Sequence, residues 1–365
     1  MLETALLSSY PPIILSSPVA SARDGCDHSR MEWERWPRER LLDLRIKDLG
    51  LRLDGTWVED CIEELYGELA QRGIALRPHC WLSDEWFSPT NVPGIGIPFY
   101  LVHPRLIRLE RSMMREAEGS SRAECMRILR HEAGHAMQHG YRLHRRTTWQ
   151  RAFGKSSTPY PLSYRPKPAS RNFVQHLRAY YAQAHPDEDF AETFAVWMQP
   201  RRTWRRRYET WAALRKLEYV DELMTDLVGV RAPVNTRVRP YPVSKNGMTL
   251  REHYEEKRAF YAVDFPSTHD KALCRVFSTA PRYATREPAW RFITRHRLEI
   301  QRLVGRWTGE SDFTIDQLLH EMIGRSRVLK LRVGGRDAAV LMDFAGMLAV
   351  RSVHFLYRRR VSIPL

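Results

Sequence analysis

The chain has 365 residues, of which 43% are hydrophobic, so it can build one large or two medium domains with substantial cores, and a minimal module is excluded. No uninterrupted apolar run reaches about 18 residues, which argues against a membrane span, and five scattered cysteines without a CxxC pair exclude a disulfide framework and favour a reducing cytoplasm. The formal charge of +15 invites an anionic partner, but arginine is spread through the whole chain, as a general compositional bias would also leave it.

The first predicted elements are a tail, a helix and a strand. Residues 1–30 are predicted to be a flexible tail. Their small-residue end resembles that of a signal peptide, but a basic start is missing and two prolines interrupt the apolar run. An amphipathic helix is predicted from Thr56 to about Gly73, and residues 74–82 are strand-like.

A second strand is predicted in the stretch from Pro93 to Val102, which is apolar and contains several Gly and Pro residues. This composition suits a strand with a free edge, and such an edge can bind an extended peptide through its backbone. An ordinary core strand with a bulge at Pro98 explains the composition equally well. Both interpretations stay open.

A five-residue motif on the next helix points to a metal site. His131, Glu132 and His135 form the pattern His-Glu-x-x-His. Residues four apart share one face of a helix, so both imidazoles can reach one zinc ion while the carboxylate points at the bound water. A helix is predicted from about 121 to 139, because Ser121 begins a capping box and Gly140 is a stop signal. The alternative is a surface helix that happens to carry histidines.

A zinc site needs a third protein ligand, and its type separates the classes of zinc proteases. The metzincin pattern would place Gly and His where this chain has Gln138 and Tyr141, so that class is disfavoured. Downstream, a proline and three acids predict a second helix, on which Glu188 and Glu192 lie one turn apart. Glu188 is the predicted ligand and Glu192 the carboxylate that orients a ligand imidazole. Two alternatives stay open: an acidic turn that only caps the helix, or His185 as the ligand.

The second motif, His-Pro-Asp-Glu-Asp-Phe-Ala-Glu-Thr-Phe-Ala at residues 185–195, gives the sequence a family resemblance. Together with the His-Glu-x-x-His helix it resembles the glutamate-ligand zincins, or gluzincins, and specifically a bacterial family of putative zinc-binding metallopeptidases. The similarity extends from Trp81 to Trp204 and more loosely into the C-terminal third. It implies a zincin-like metallopeptidase with one zinc ion.

The sequence is also distantly similar to the protease domain of anthrax lethal factor. There, a Tyr seven residues before the ligand Glu assists catalysis. By that resemblance Tyr181 is the candidate that stabilises the oxyanion, and its neighbour Tyr180 is the alternative.

The predicted function is zinc-dependent hydrolysis of peptide bonds in a protein or peptide substrate. One Zn²⁺ per chain on His131, His135 and Glu188 activates a water; Glu132 is the general base, and Tyr181 hydrogen-bonds the oxyanion. The alternative is a zinc-stabilised, non-catalytic binding protein that uses its basic helical region for a protein or nucleic-acid partner. The presence of Glu132 favours the enzyme, because a structural zinc site needs no general base.

The remaining segments complete the predicted organisation. Residues 154–171 are rich in Pro, Ser and Tyr and are predicted to form a rim over the cleft. Residues 201–208 carry arginines between aromatic side chains, a pattern that favours a solvated helix face over nucleic-acid binding. We predict a zincin-like metallopeptidase domain at 31–229, a linker at 230–248 and a helical C-terminal domain at 249–365.

The predicted fold class is therefore α+β. The catalytic domain combines a small sheet that has an edge strand with the active-site helices, and a mainly helical region follows it. The predicted partners are a protein or peptide substrate and no membrane, and the predicted location is the cytoplasm.

Overall fold

A computed structural model describes residues 31–161, 163–164, 166–260, 269–358 and 363–364. The tail predicted at residues 1–30 lies outside this part of the chain. Within these ranges helices dominate, and two short sheets of two strands each accompany them. The predicted α+β class with a mainly helical C-terminal region is confirmed. Within the described ranges, no helix combines the length and the apolar character that crossing a membrane requires.

The helices and strands in chain order are α1 (Arg38–Leu42), α2 (Trp57–Gln71), β1 (His79–Ser83), β2 (Gly94–Pro98), α3 (Pro104–Met114), α4 (Arg122–Gly140), α5 (Thr147–Phe153), β3 (Ser163–Tyr164), α6 (Pro186–Trp197), α7 (Arg201–Tyr208), α8 (Ala213–Asp226), α9 (Leu250–Phe260), α10 (Asp270–Val276), α11 (Ala289–Arg295), α12 (Arg297–Thr308), α13 (Asp312–Val328), α14 (Asp337–Arg358) and β4 (Ile363–Pro364).

The first sheet is buried, and the outer side of β2 is already hydrogen-bonded to another part of the chain. β1 and β2 are parallel, and every residue of β2 is buried. On the side of β2 away from β1, Gly96 donates to the carbonyl of Phe87 (2.8 Å) and accepts from its amide (3.4 Å). On the same side, the Ser88 hydroxyl donates a hydrogen bond to the carbonyl of Gly94 (2.8 Å). The free edge predicted between Pro93 and Val102 is therefore wrong at the centre of β2, and the core-strand interpretation fits.

Close approach of two helices determines where the motif residues lie. Gly134 of α4 faces Ala191 of α6, and a Cβ atom added to this glycine would lie 2.8 Å from the Cα of Ala191. A larger residue would force the helices apart, because real Cβ atoms do not approach backbone that closely. The small residues inside the His-Glu-x-x-His motif thus allow α4 and α6 to pack together.

The helix ends agree with the capping signals in the sequence. The Ser121 hydroxyl accepts from the amide of Glu124 (3.3 Å), and α4 then runs to Gly140. At the start of α2, Thr56 accepts from the amide of Glu59 in the same way. Each cap satisfies an amide that has no partner inside the helix and so fixes where the helix begins.

The buried apolar residues form two clusters. The larger one draws on residues 33–254 and Phe313, and the smaller one on residues 273–348. The stretch predicted as a linker packs against the first sheet, since Trp81 donates its indole N–H to the carbonyl of Pro240 (2.9 Å). The domain boundaries stay predictions.

Candidate metal centre

Three buried side chains from α4 and α6 converge on one point. The Nε2 atom of His131 lies 3.2 Å from that of His135 and 3.1 Å from Oε2 of Glu188, and His135 Nε2 lies 3.2 Å from the same oxygen. Among the described residues, no other group of three His, Cys, Asp or Glu side chains is close enough to share an ion. His131, His135 and Glu188 thus form one compact donor set.

This triangle has the size that a zinc ion requires. Ligand atoms about 2.0–2.1 Å from a tetrahedral zinc lie roughly 3.3 Å apart, which matches the three measured separations. Two imidazole nitrogens and a carboxylate oxygen are also the donor types that zinc prefers in hydrolytic sites. The residues present therefore fit the metal, and the set leaves a fourth tetrahedral position to a non-protein ligand.

A second carboxylate fixes the orientation of the first histidine. Glu192, one turn after Glu188 on α6, accepts from Nδ1 of His131 at 2.9 Å. Its other oxygen accepts from the backbone amide of Leu177 at 2.8 Å. With Nδ1 carrying the proton, the Nε2 lone pair is the one that would bind a metal. The geometry is the one predicted for Glu192.

Glu188 is held from its far side by a residue that the sequence analysis did not single out. The Tyr160 hydroxyl donates to Oε1 of Glu188 at 3.0 Å, which leaves Oε2 to the metal. Tyr160 belongs to the stretch 154–171, predicted only as a rim over the cleft. The tyrosines in that stretch were the available signal, but their spacing gives no indication of which one reaches the second helix.

His185, the alternative third ligand, serves as the cap of α6. Its Nδ1 accepts from the amide of Asp187 (3.1 Å), and its Nε2 donates to the carbonyl of Thr158 (2.7 Å). The ring also stacks on Tyr160, with centroids 3.6 Å apart. Both ring nitrogens are therefore engaged away from the metal centre, and the structure brings Glu188, not His185, to the two histidines.

Glu132 lies beside the donor set with a free oxygen. Its carboxyl is buried, and Oε2 has no hydrogen-bond partner among the described residues. Burial raises the pKa of Glu132, and the nearby Glu188 acts in the same direction, while His131 and His135 oppose them. A buried carboxylate oxygen without a protein partner is suited to a proton-bearing ligand at the metal.

Tyr181 lies next to the metal centre, whereas its neighbour Tyr180 lines a cavity. The ring of Tyr181 lies 5.6 Å from that of His131, centroid to centroid. Ala179 and Tyr180 both adopt left-handed backbone conformations, with φ of 58° and 57°. Tyr180 lines a cavity of about 620 Å³, with Trp307 at its rim. Burial, followed by the charges of neighbouring glutamates, raises the pKa of Tyr181 well above its ordinary value.

Two histidines and a glutamate on adjacent helices, with a buried carboxylate beside the first histidine, are the arrangement that metal-dependent hydrolases use. Residues 108–239, which include α4 and α6, match the family described as "Putative zinc-binding metallo-peptidase". The predicted resemblance to a family of zinc-binding metallopeptidases is confirmed for this stretch. No curated protein and no solved structure matches the chain, and the likeness to anthrax lethal factor stays a prediction.

Proposed function

We propose that this protein is a zinc-dependent metallopeptidase that binds one zinc ion per chain through His131, His135 and Glu188. The observation that carries the proposal is the triangle of donor atoms, 3.1–3.2 Å on each side, with the buried carboxylate of Glu132 next to it. The family match supports the reaction class. When bound, zinc supplies a Lewis acid that activates water and polarises a carbonyl group.

Glu132 is assigned the proton transfers. Its oxygen without a partner can accept a proton from the attacking water, and burial raises the pKa of the carboxyl towards the working range of a general base. The same carboxyl then delivers the proton to the leaving nitrogen, so that one residue serves both steps of peptide hydrolysis. A purely structural zinc site has no use for this side chain.

Tyr181 is assigned the stabilisation of the oxyanion. A phenol whose pKa lies well above the ordinary value keeps its proton and can donate a hydrogen bond. Its ring lies against His131, on the same side as the donor set. The contact with His131 favours Tyr181 over its neighbour Tyr180, which lines the cavity.

A protein or peptide is the proposed substrate. Of the five arginines in α7, Arg201 is paired with Asp221 (2.8 Å) and Arg205 with Glu218 (2.9 Å), both acids of α8. Such pairs lower the charge that this face presents to a phosphate backbone.

The test is hydrolysis of casein by the zinc-loaded chain, compared between Glu132→Gln and Glu124→Gln. Glu132→Gln should keep its zinc and lose turnover by a factor on the order of 10²–10⁴, the usual contribution of a general base. Glu124→Gln is the matched control, because Glu124 lies partly exposed in the first turn of the same helix, two turns before the donor set. Equal turnover in the two variants would overturn the assignment. Zinc binding without hydrolysis in the wild-type chain would instead favour the non-catalytic binding protein.

A further inference from the structure

The short strand β3 lies next to the metal centre and is tied to it on both sides. The Tyr164 hydroxyl donates to the carbonyl of Ala179 (2.8 Å), and the Tyr164 ring lies 6.4 Å from that of Tyr181. Four residues earlier, Tyr160 donates to the ligand Glu188. A backbone that pairs with β3 is therefore brought close to the reacting atoms.

A segment of this chain already pairs with β3. β4 pairs antiparallel with β3 in the register Ser163↔Pro364 and Tyr164↔Ile363. β4 follows α14, which ends at Arg358, so only four residues separate the helix from the paired segment. An extended segment that joins a strand edge is the mode in which many proteins bind peptides, because main-chain hydrogen bonds accept almost any sequence.

The other strand near the active-site helices is less suited to this role. The outward backbone of β2 is engaged by Phe87 at Gly96 and by Ser88 at Gly94. β3 instead pairs with β4, a segment from far along the chain. The predicted peptide-binding edge thus moves from β2 to β3.

We propose that β3 is the edge on which an extended peptide substrate pairs with the protein, and that Ile363–Pro364 occupies this edge in the resting chain as an intramolecular competitor. The part that concerns substrate rests on the proposed function. A tethered segment acts at an effective concentration in the millimolar range for a short link. A free peptide must displace it, so the tether raises KM and leaves the chemistry at the metal unchanged.

The pairing is tested in the full-length chain with Ser163→Cys and Pro364→Cys. Directly opposed Cα atoms of an antiparallel pair lie about 4.5–5.5 Å apart, which is within the range that a disulfide spans. Cys274, which is exposed, is replaced by Ser in all variants, as is Cys26. The matched control combines Pro364→Cys with Ser157→Cys, an exposed position in the same stretch that does not pair with β4.

The expected result is rapid cross-linking of the 163/364 pair under mild oxidation and little cross-linking of the control. The cross-linked chain should cleave casein at least tenfold more slowly than the same chain after reduction, because the competitor can no longer leave. Failure of the 163/364 pair to cross-link would overturn the proposal. Cross-linking without any effect on cleavage would overturn the assignment of β3 as the substrate edge.

A binding readout separates this inference from the proposed function. A fluorescent peptide with the sequence of residues 361–365, Val-Ser-Ile-Pro-Leu, should bind the reduced chain and be excluded from the cross-linked one, as measured by anisotropy. If the reduced chain hydrolyses nothing but shows this difference, the proposed function fails and the peptide-binding edge stands. If the peptide binds both forms equally, the edge assignment fails whatever the hydrolysis shows.

Discussion

The replacement Glu192→Gln tests how the first histidine is held. Glu192 accepts two hydrogen bonds, from Nδ1 of His131 (2.9 Å) and from the amide of Leu177 (2.8 Å). A glutamine has one acceptor oxygen and one amide donor, so only one of the two bonds can form, and the other becomes a contact between two donors. The negative charge that makes the imidazole a better ligand is lost as well.

Glu192→Gln is expected to lower the affinity for zinc. Changes to a carboxylate that supports a ligand histidine weaken metal binding by about 10- to 100-fold, or about 1.4–2.7 kcal/mol. Competition with a zinc chelator of known affinity measures this directly. The matched control is Asp189→Asn on the same helix, where the carboxylate is buried against Lys216 (2.5 Å) away from the donor set. That variant should lower the free energy of unfolding and keep the zinc affinity of the wild type.

Zinc binding by Glu192→Gln within twofold of the wild type would refute the supporting role of Glu192. An equal loss of zinc affinity in Asp189→Asn would refute it too, because the loss would then reflect general destabilisation of α6. Unfolding in urea, run in parallel on both variants, separates the two readings.

Three further predictions follow. Glu188→Ala should lose the zinc that elemental analysis finds in the wild type, whereas His185→Ala should keep it and lose roughly 1 kcal/mol of stability as a helix cap; equal zinc contents would contradict the ligand assignment. Tyr181→Phe should lower kcat by a factor on the order of 10²–10³, and Tyr180→Phe should leave it unchanged; similar kinetics for the two would speak against the oxyanion role. Burial lowers the pKa of His253 to about 3, against about 6.5 in an unfolded chain. The unfolded chain therefore binds the extra proton between these values, and the free energy of unfolding falls as the pH drops. His253→Phe should remove about 2 kcal/mol of this loss between pH 7 and 5. The free energy of unfolding is measured by urea unfolding at each pH, and the same pH dependence in the variant and the wild type would contradict this role of His253.

The sequence predicts the first half of the site well, because its signals are local. The capping serine and the glycine stop bracket α4 to within one residue of the observed range, Arg122–Gly140. The spacing of four between His131 and His135 places both rings on one face without any knowledge of the fold. Such features depend only on residues within one helix.

The third ligand could not be settled by the same means. His185 and Glu188 both lie at the start of one helix, and both residue types bind zinc. The difference is that His185 caps α6 with Nδ1 and reaches Thr158 with Nε2, so its nitrogens are already used. This follows from the path of the rim segment, which local periodicity does not contain.

The pairing of Phe87 with β2 and the hydrogen bond from Tyr160 to Glu188 could not be predicted from the sequence for the same reason. Both contacts join segments whose pairing is set by tertiary packing, and neither segment carries a periodic pattern. Gly and Pro in a strand are typical of a free edge, and the composition does not show whether another segment of the chain pairs with that edge.

The bend at Ala179 and Tyr180 connects the two halves of the site. Two successive non-glycine residues in the left-handed region cost about 1 kcal/mol each. They persist because contacts on both sides fix the bend: the Leu177 amide is bound by Glu192, and the Ala179 carbonyl by Tyr164. Glu192 therefore contacts both His131 and the segment that leads to Tyr181, so the orientation of the histidine and the placement of the tyrosine are physically linked.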